Sequence, residues 1–235
     1  MSRLGATLRL DLVLQFRYGF YYAAAFTTLV WITLLSALPE SVLSLVVPFM
    51  IFADLAVVGY YFIAGMVLFE KGEATLFALV PTPLRFGEYL ASKLATLSAL
   101  AVVMSLIIVG VSYGFEFDAA LLVLGVILTS LIALLLGFIF VSPFEAISSY
   151  VVPSAIPHLI MAVPLIHFFG VWESPVFHLF PTQGSLFLLG GAFGTVSLTL
   201  WQLLYAVLYQ LLWVIGLYLV ARRAFDRYIV ARKGG

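Results

Sequence analysis

Residues 119–141 read AALLVLGVILTSLIALLLGFIFV, an unbroken apolar stretch with no charge in it. About 20 apolar residues carry an α-helix across the hydrocarbon core of a bilayer, and no open strand does so, because every backbone amide must be satisfied within the segment. The stretch is therefore a membrane-spanning helix. Working outward, similar runs cover Tyr18–Ala37, Val42–Phe69, Leu94–Tyr113, about Tyr150–Trp172 and about Val196–Ala221. The expected fold is all-α: one polytopic membrane domain of six transmembrane helices filling residues 1–235. The Val42–Phe69 run exceeds what a crossing needs, so it is expected to tilt or to project from the membrane.

The 11 Lys and Arg residues fall in three stretches: Arg3, Arg9 and Arg17; Lys71, Arg85 and Lys93; and Arg222, Arg223, Arg227, Arg232 and Lys233. Other polar breaks carry only acids, at Glu40, at Glu116 with Asp118, and at Glu173. Basic residues flanking spans are retained in the cytoplasm. Both termini and the 70–93 segment are thus expected inside and the acidic turns outside, which an even number of spans requires. A chain 64% hydrophobic and 9% charged is no soluble domain, and a net charge of zero supplies no basic face for nucleic acid. No cysteine is present, excluding disulfides, a thiolate nucleophile and Cys-based metal sites. Asp11, Arg9 and Arg17 interrupt any apolar core of a cleavable signal peptide.

Three segments depart from ordinary spans. Residues 2–17 place Leu4, Leu8, Leu12 and Phe16 on one face with Arg3, Thr7, Asp11 and Arg17 broadly opposite, the pattern of an interfacial helix or of a plain extension of the first span. Gly125, Thr129, Ala133 and Gly137 recur every fourth residue on the fourth span, a smooth face for close helix packing. Residues 173–194 are too rich in Gly and Pro to span and too apolar for a free loop. Broken at Pro175, Pro181 and Gly184, and with Phe187–Gly191 following a Thr182 cap, they read as re-entrant half-helices on the outer side. Pro175, Pro181, Gly184, Gly190 and Gly191 are the candidate outer gate, and an outer loop packed on the bundle is the other reading.

The segment 69–93 reads FEKGEATLFALVPTPLRFGEYLASK. Gly72 precedes and Pro81 stops a two-turn helix over Glu73–Val80. Thr82 is placed to cap a second helix with Pro83 at its first position, continuing through Arg85, Glu88 and Lys93 into the third span. This segment resembles the cytoplasmic loop after the second span of six-helix ATP-binding-cassette exporter permeases of the type V class, and more narrowly that of fluoroquinolone export permeases. The resemblance implies a coupling helix seated in a groove of the ATP-binding subunit. Glu70, Lys71, Gly72, Glu73, Thr75 and Leu76 match its start, and Thr82-Pro83-Leu84-Arg85 with Glu88 its end. It implies a prokaryotic plasma-membrane location, a separate ATP-binding subunit in two copies holding ATP and Mg, and a second permease copy in a homodimer or heterodimer within membrane lipid. Glu145, in the short link Ser142–Ser149, is the other expected contact with the ATPase. No G-x-x-x-x-G-K-[ST] loop occurs, so this polypeptide would bind no nucleotide by that motif and bind no cofactor of its own.

Two other classes compete. Asp54 lies midway along the second span, with His158 and His167 on the fifth, and intramembrane ionisable groups are functional candidates, here for a proton- or ion-coupled transporter. Asp54 bonding to a neighbouring helix, with the histidines in a wet cavity, is the plainer alternative. An intramembrane protease would need a Ser and a His on separate spans. Gly184-Ser185 sits in the irregular outer segment, the last span lacks His, and no H-E-x-x-H motif occurs.

Overall fold

A computed structural model describes residues 3–76 and 85–231. Among these no strand occurs. Helix α1 (Arg3–Arg17) meets α2 (Phe20–Ser36) at 63°. Gly19 makes the corner at φ +80°, a left-handed conformation that costs glycine nothing. α3 runs as one helix over Glu40–Gly72, α4 over Phe86–Ser112, and α5 over Ala119–Val141. α6 (Ile147–Ala162) and the short α7 (Leu165–Phe168) together make the fifth span, broken at Val163-Pro164 where proline removes an amide donor. A 3₁₀ turn (Pro175–Leu179) and α8 (Pro181–Ala192) lead to α9 (Leu200–Phe225), extended by a π turn over Asp226–Val230. Five of these helices are long and apolar enough to cross a membrane, and the number is six if the bent α1–α2 pair counts as one span.

α5 is the axis of the bundle, packed against α3, α4, α8 and α9. Its small-residue stripe makes this closeness possible. A Cβ on Gly137 would lie 2.5 Å from the Tyr60 carbonyl of α3, and one on Gly125 would lie 3.1–3.3 Å from Leu188 and Leu189 of α8. α8 is buried along nearly its whole length within the bundle. The opposite holds for α9, whose Leu208, Leu212 and Ile215 face outward.

Several boundaries differ from expectation. At 33 residues, α3 spans about 50 Å at 1.5 Å per residue, and so carries Glu70 and Lys71 inside a helix rather than in a loop. It ends at Gly72, where Ala74 takes φ +58°, the left-handed closing position glycine usually fills. The next helical turn therefore begins at Thr75 and not at Glu73. The rest of the expected Glu73–Val80 helix, Pro81, the Thr82 cap and Pro83 lie outside the described residues. α4 begins at Phe86, with Arg85 extended before it and the Glu88 carboxylate accepting the Arg85 amide at 3.0 Å. Phe180, not Thr182, caps α8, and the Thr182 hydroxyl donates instead to the Met161 carbonyl at 2.9 Å. The last span starts at Leu200 rather than Val196, because Thr199 and Gln202 exchange capping hydrogen bonds there.

Candidate functional site

The polar stripe of α1 turns inward. Thr7, Asp11 and Gln15 recur at helical spacing and are buried, while Leu4, Leu12 and Phe16 are exposed. They meet the start of α4. The Lys93 ammonium donates to Asp11 Oδ1 at 2.8 Å and to Glu70 Oε1 of α3. Ser92 donates to the other Asp11 oxygen, and the Tyr89 hydroxyl to Glu70 Oε2 at 2.7 Å. Each carboxylate oxygen thus has a donor, as charges removed from water require. One turn further along, Gln15 donates to Thr96 Oγ1 at 2.7 Å and accepts from Tyr21 at 3.2 Å. A cavity of about 240 Å³ lies beside the cluster, walled by Leu10, Leu14 and Thr75.

Lys71 makes a second tie. Its side chain is almost wholly buried, and its ammonium donates to the carbonyls of Ser142 at 2.6 Å and Phe144 at 2.8 Å, with Glu145 at 3.8 Å. A cation here satisfies carbonyls that the end of α5 leaves without helical partners. α1, α3, α4 and α5 are consequently joined at one end of the bundle by buried charge.

The residues assigned by resemblance to the ATPase contact divide by burial. Glu70, Lys71 and Leu76 are interior, so they organise this end of the bundle and present no surface. Thr75 is partly buried, its hydroxyl on the Glu70 carbonyl. Gly72, Glu73, Arg85 and Glu145 are exposed. Glu73 accepts from Arg17 and from the Tyr18 hydroxyl, each at 2.9 Å, and so ties the exposed turn to the α1–α2 corner. Asp11, Tyr89, Ser92 and Lys93 did not stand out as a site in the sequence. The only hint was the Thr7/Asp11/Gln15 spacing, which resembles an ordinary solvated face.

At the other end, Pro175 opens the 3₁₀ turn and Pro181 the α8 helix. Gly184 lies against Ala206 and Gln210 of α9, while Gly190 and Gly191 lie under Val196 and Leu198 of the returning strand of chain. Asp54 accepts from Trp31 Nε1 of α2 at 2.7 Å, just before a π turn in α3 at Leu55–Gly59. His158 packs near the rings of Tyr60 and Tyr61, and His167 near Phe177 and His178. Neither histidine shares a hydrogen bond with Asp54 among the described residues. No group of three or more metal-ligating side chains occurs among the described residues.

The model of the fluoroquinolones export permease protein family matches residues 2–233 of this chain. Two proteins of Mycobacterium tuberculosis, from strains CDC 1551 / Oshkosh and ATCC 25618 / H37Rv, each bear the name fluoroquinolones export permease protein. Each is 42% identical to this chain over 235 residues, covering 100% of it and 99% of the relative. No solved structure matches the chain.

Proposed function

The chain belongs to the fluoroquinolones export permease protein family, and on that premise we propose that it is the membrane-spanning subunit of an ATP-driven exporter, moving amphipathic or apolar molecules of drug-like or lipid-like character outward. ATP and Mg are held by a separate ATP-binding subunit in two copies, and two permease chains complete the complex. Both termini and the basic end of the bundle face the cytoplasm of a prokaryotic cell.

The observation that carries this reading is the coupling of an exposed turn to a buried, charged joint. Glu73, Gly72, Arg85 and Glu145 form the exposed contact for the ATPase. Glu73 sits at the end of α3, two residues beyond Lys71 and three beyond Glu70, whose charges bind α5, α1 and α4. Prising these helices apart would leave buried charges unpaired, at about 3–5 kcal/mol for a lost partner. A push on the turn therefore moves four helices as one block rather than bending one. At the far end that motion shifts α8, a short helix held by packing and by the close approach of Gly184 to α9, and opens the outward path.

The test is gentle extraction of the tagged chain from its native membrane, followed by native mass analysis. Two permease chains with two ATPase chains support the proposal. A stable oligomer that repeatedly lacks an ATPase under mild conditions overturns it.

A further inference from the structure

A groove of about 410 Å³ runs between the end of α5 with its following link and the end of α9 with its π turn. Its two halves differ in chemistry. Phe140, Phe144 and Val220 form an apolar floor, while Arg223 and Arg227 stand at the rim four residues apart. Both guanidiniums belong to exposed residues, and no ion pair among the described residues engages either. Arg227 lies against the Tyr228 ring at 5.3 Å, and both side chains line the groove. Among the described residues no carboxylate lines the cleft. In the direction of the membrane the floor is continuous with the outward apolar face of α9 through Leu219, Ile215 and Leu212.

A ligand complementary to both halves has a compact anionic head and a hydrocarbon tail at least several carbons long. We propose that this groove is a binding site for an anionic phospholipid of the inner leaflet, its phosphate between Arg223 and Arg227 and an acyl chain along Val220 and the α9 face. Basic pockets at the cytoplasmic ends of spans suit such headgroups, and a forked guanidinium matches phosphate oxygens in pairs. The site is separate from the exposed Glu73 turn. Because Phe144 lines it and its carbonyl also accepts from Lys71, an occupied groove buttresses the link that Lys71 holds.

The test is native mass analysis of the full chain purified in neutral detergent, with phosphatidylglycerol or phosphatidylcholine of identical acyl chains. Phosphatidylglycerol is expected to be retained in preference. Arg223→Ala with Arg227→Ala should weaken its retention about thirtyfold, the paired Arg→Lys variant should keep most of it, and Arg9→Ala, an exposed arginine elsewhere, should change nothing. Val220→Trp, which fills the apolar half and leaves both arginines, should also release the lipid. Millimolar inorganic phosphate should not displace it, since the tail contributes. Equal retention of phosphatidylcholine, undiminished phosphatidylglycerol binding by the double Ala variant, or displacement by phosphate alone would each overturn the proposal. If the double Ala variant loses its fold, the Val220→Trp and Lys variants decide the matter.

Discussion

Lys93 Nζ lies 2.8 Å from Asp11 Oδ1, with both side chains removed from solvent. This contact fastens the N-terminal helix to the third span, and Glu70 on the same ammonium brings in the second. The cluster holds two carboxylates and one ammonium. Its integrity rests on complete hydrogen bonding, so removing one member leaves the others stranded.

Lys93→Met should therefore destabilise the protein by about 3–5 kcal/mol. Asp11→Leu, Glu70→Leu and Lys93→Met together should recover part of that loss, because apolar packing of similar volume replaces the charges while the Tyr89 and Ser92 hydroxyls lose their acceptors. Denaturant unfolding in detergent would read both. A triple variant no better than the single one would show that the cluster does more than satisfy its own charges.

Lys71→Met removes the donor shared by the Ser142 and Phe144 carbonyls, with a cost of about 1.5–3 kcal/mol for each hydrogen bond to a charged group lost. Amide exchange should rise in residues 142–149 while α1 stays protected. Exchange that rises equally in α1 would mean the two charged ties are one cooperative unit.

Glu73→Lys should change stability by no more than about 1 kcal/mol, since its ion pair with Arg17 is exposed. Membrane insertion should persist while the ATPase subunits cease to copurify. Unchanged assembly and transport would remove Glu73 from the docking surface.

Gly137→Ala adds a methyl group where the Tyr60 carbonyl is 2.5 Å from the new atom, so α3 and α5 must separate at a cost of about 1–3 kcal/mol. Gly216→Ala, with open space around the same position, should be neutral or stabilising by up to about 1 kcal/mol. Parallel thermal melts compare them directly.

Asp54→Asn keeps an acceptor for Trp31 and should leave both the fold and drug efflux intact, with efflux stopped by ATP depletion and not by collapsing the proton gradient. Efflux that follows the gradient, and is lost in Asp54→Asn, would favour the ion-coupled reading over the ATP-driven one.

The spans, the acidic turns and the short buried helix before the last span were legible in the sequence because each depends on local properties. A run such as residues 119–141 is apolar around its whole circumference, and a bilayer leaves such a segment no conformation but a helix. The Gly125–Gly137 stripe likewise announced close packing on one helix face. The resemblance of residues 69–93 pointed to the permease family from a single segment. Hydropathy could not separate Glu70, Lys71 and Lys93 from solvated charges. Whether a charge is buried depends on which distant group meets it, and here the partners are 23, 71–73 and 82 residues away. Nor did the pattern of α1 reveal which of its faces turns inward. In a membrane the apolar face has lipid to meet, so the polar stripe is the side that gains by finding protein. Hydropathy read along the chain established an all-α membrane protein of five to six spans, and the resemblance of one segment gave its permease family. Tertiary structure decided that Glu70, Lys71 and Lys93 are interior helix residues, because only the folded bundle brings Asp11, Glu70 and Lys93 to one point.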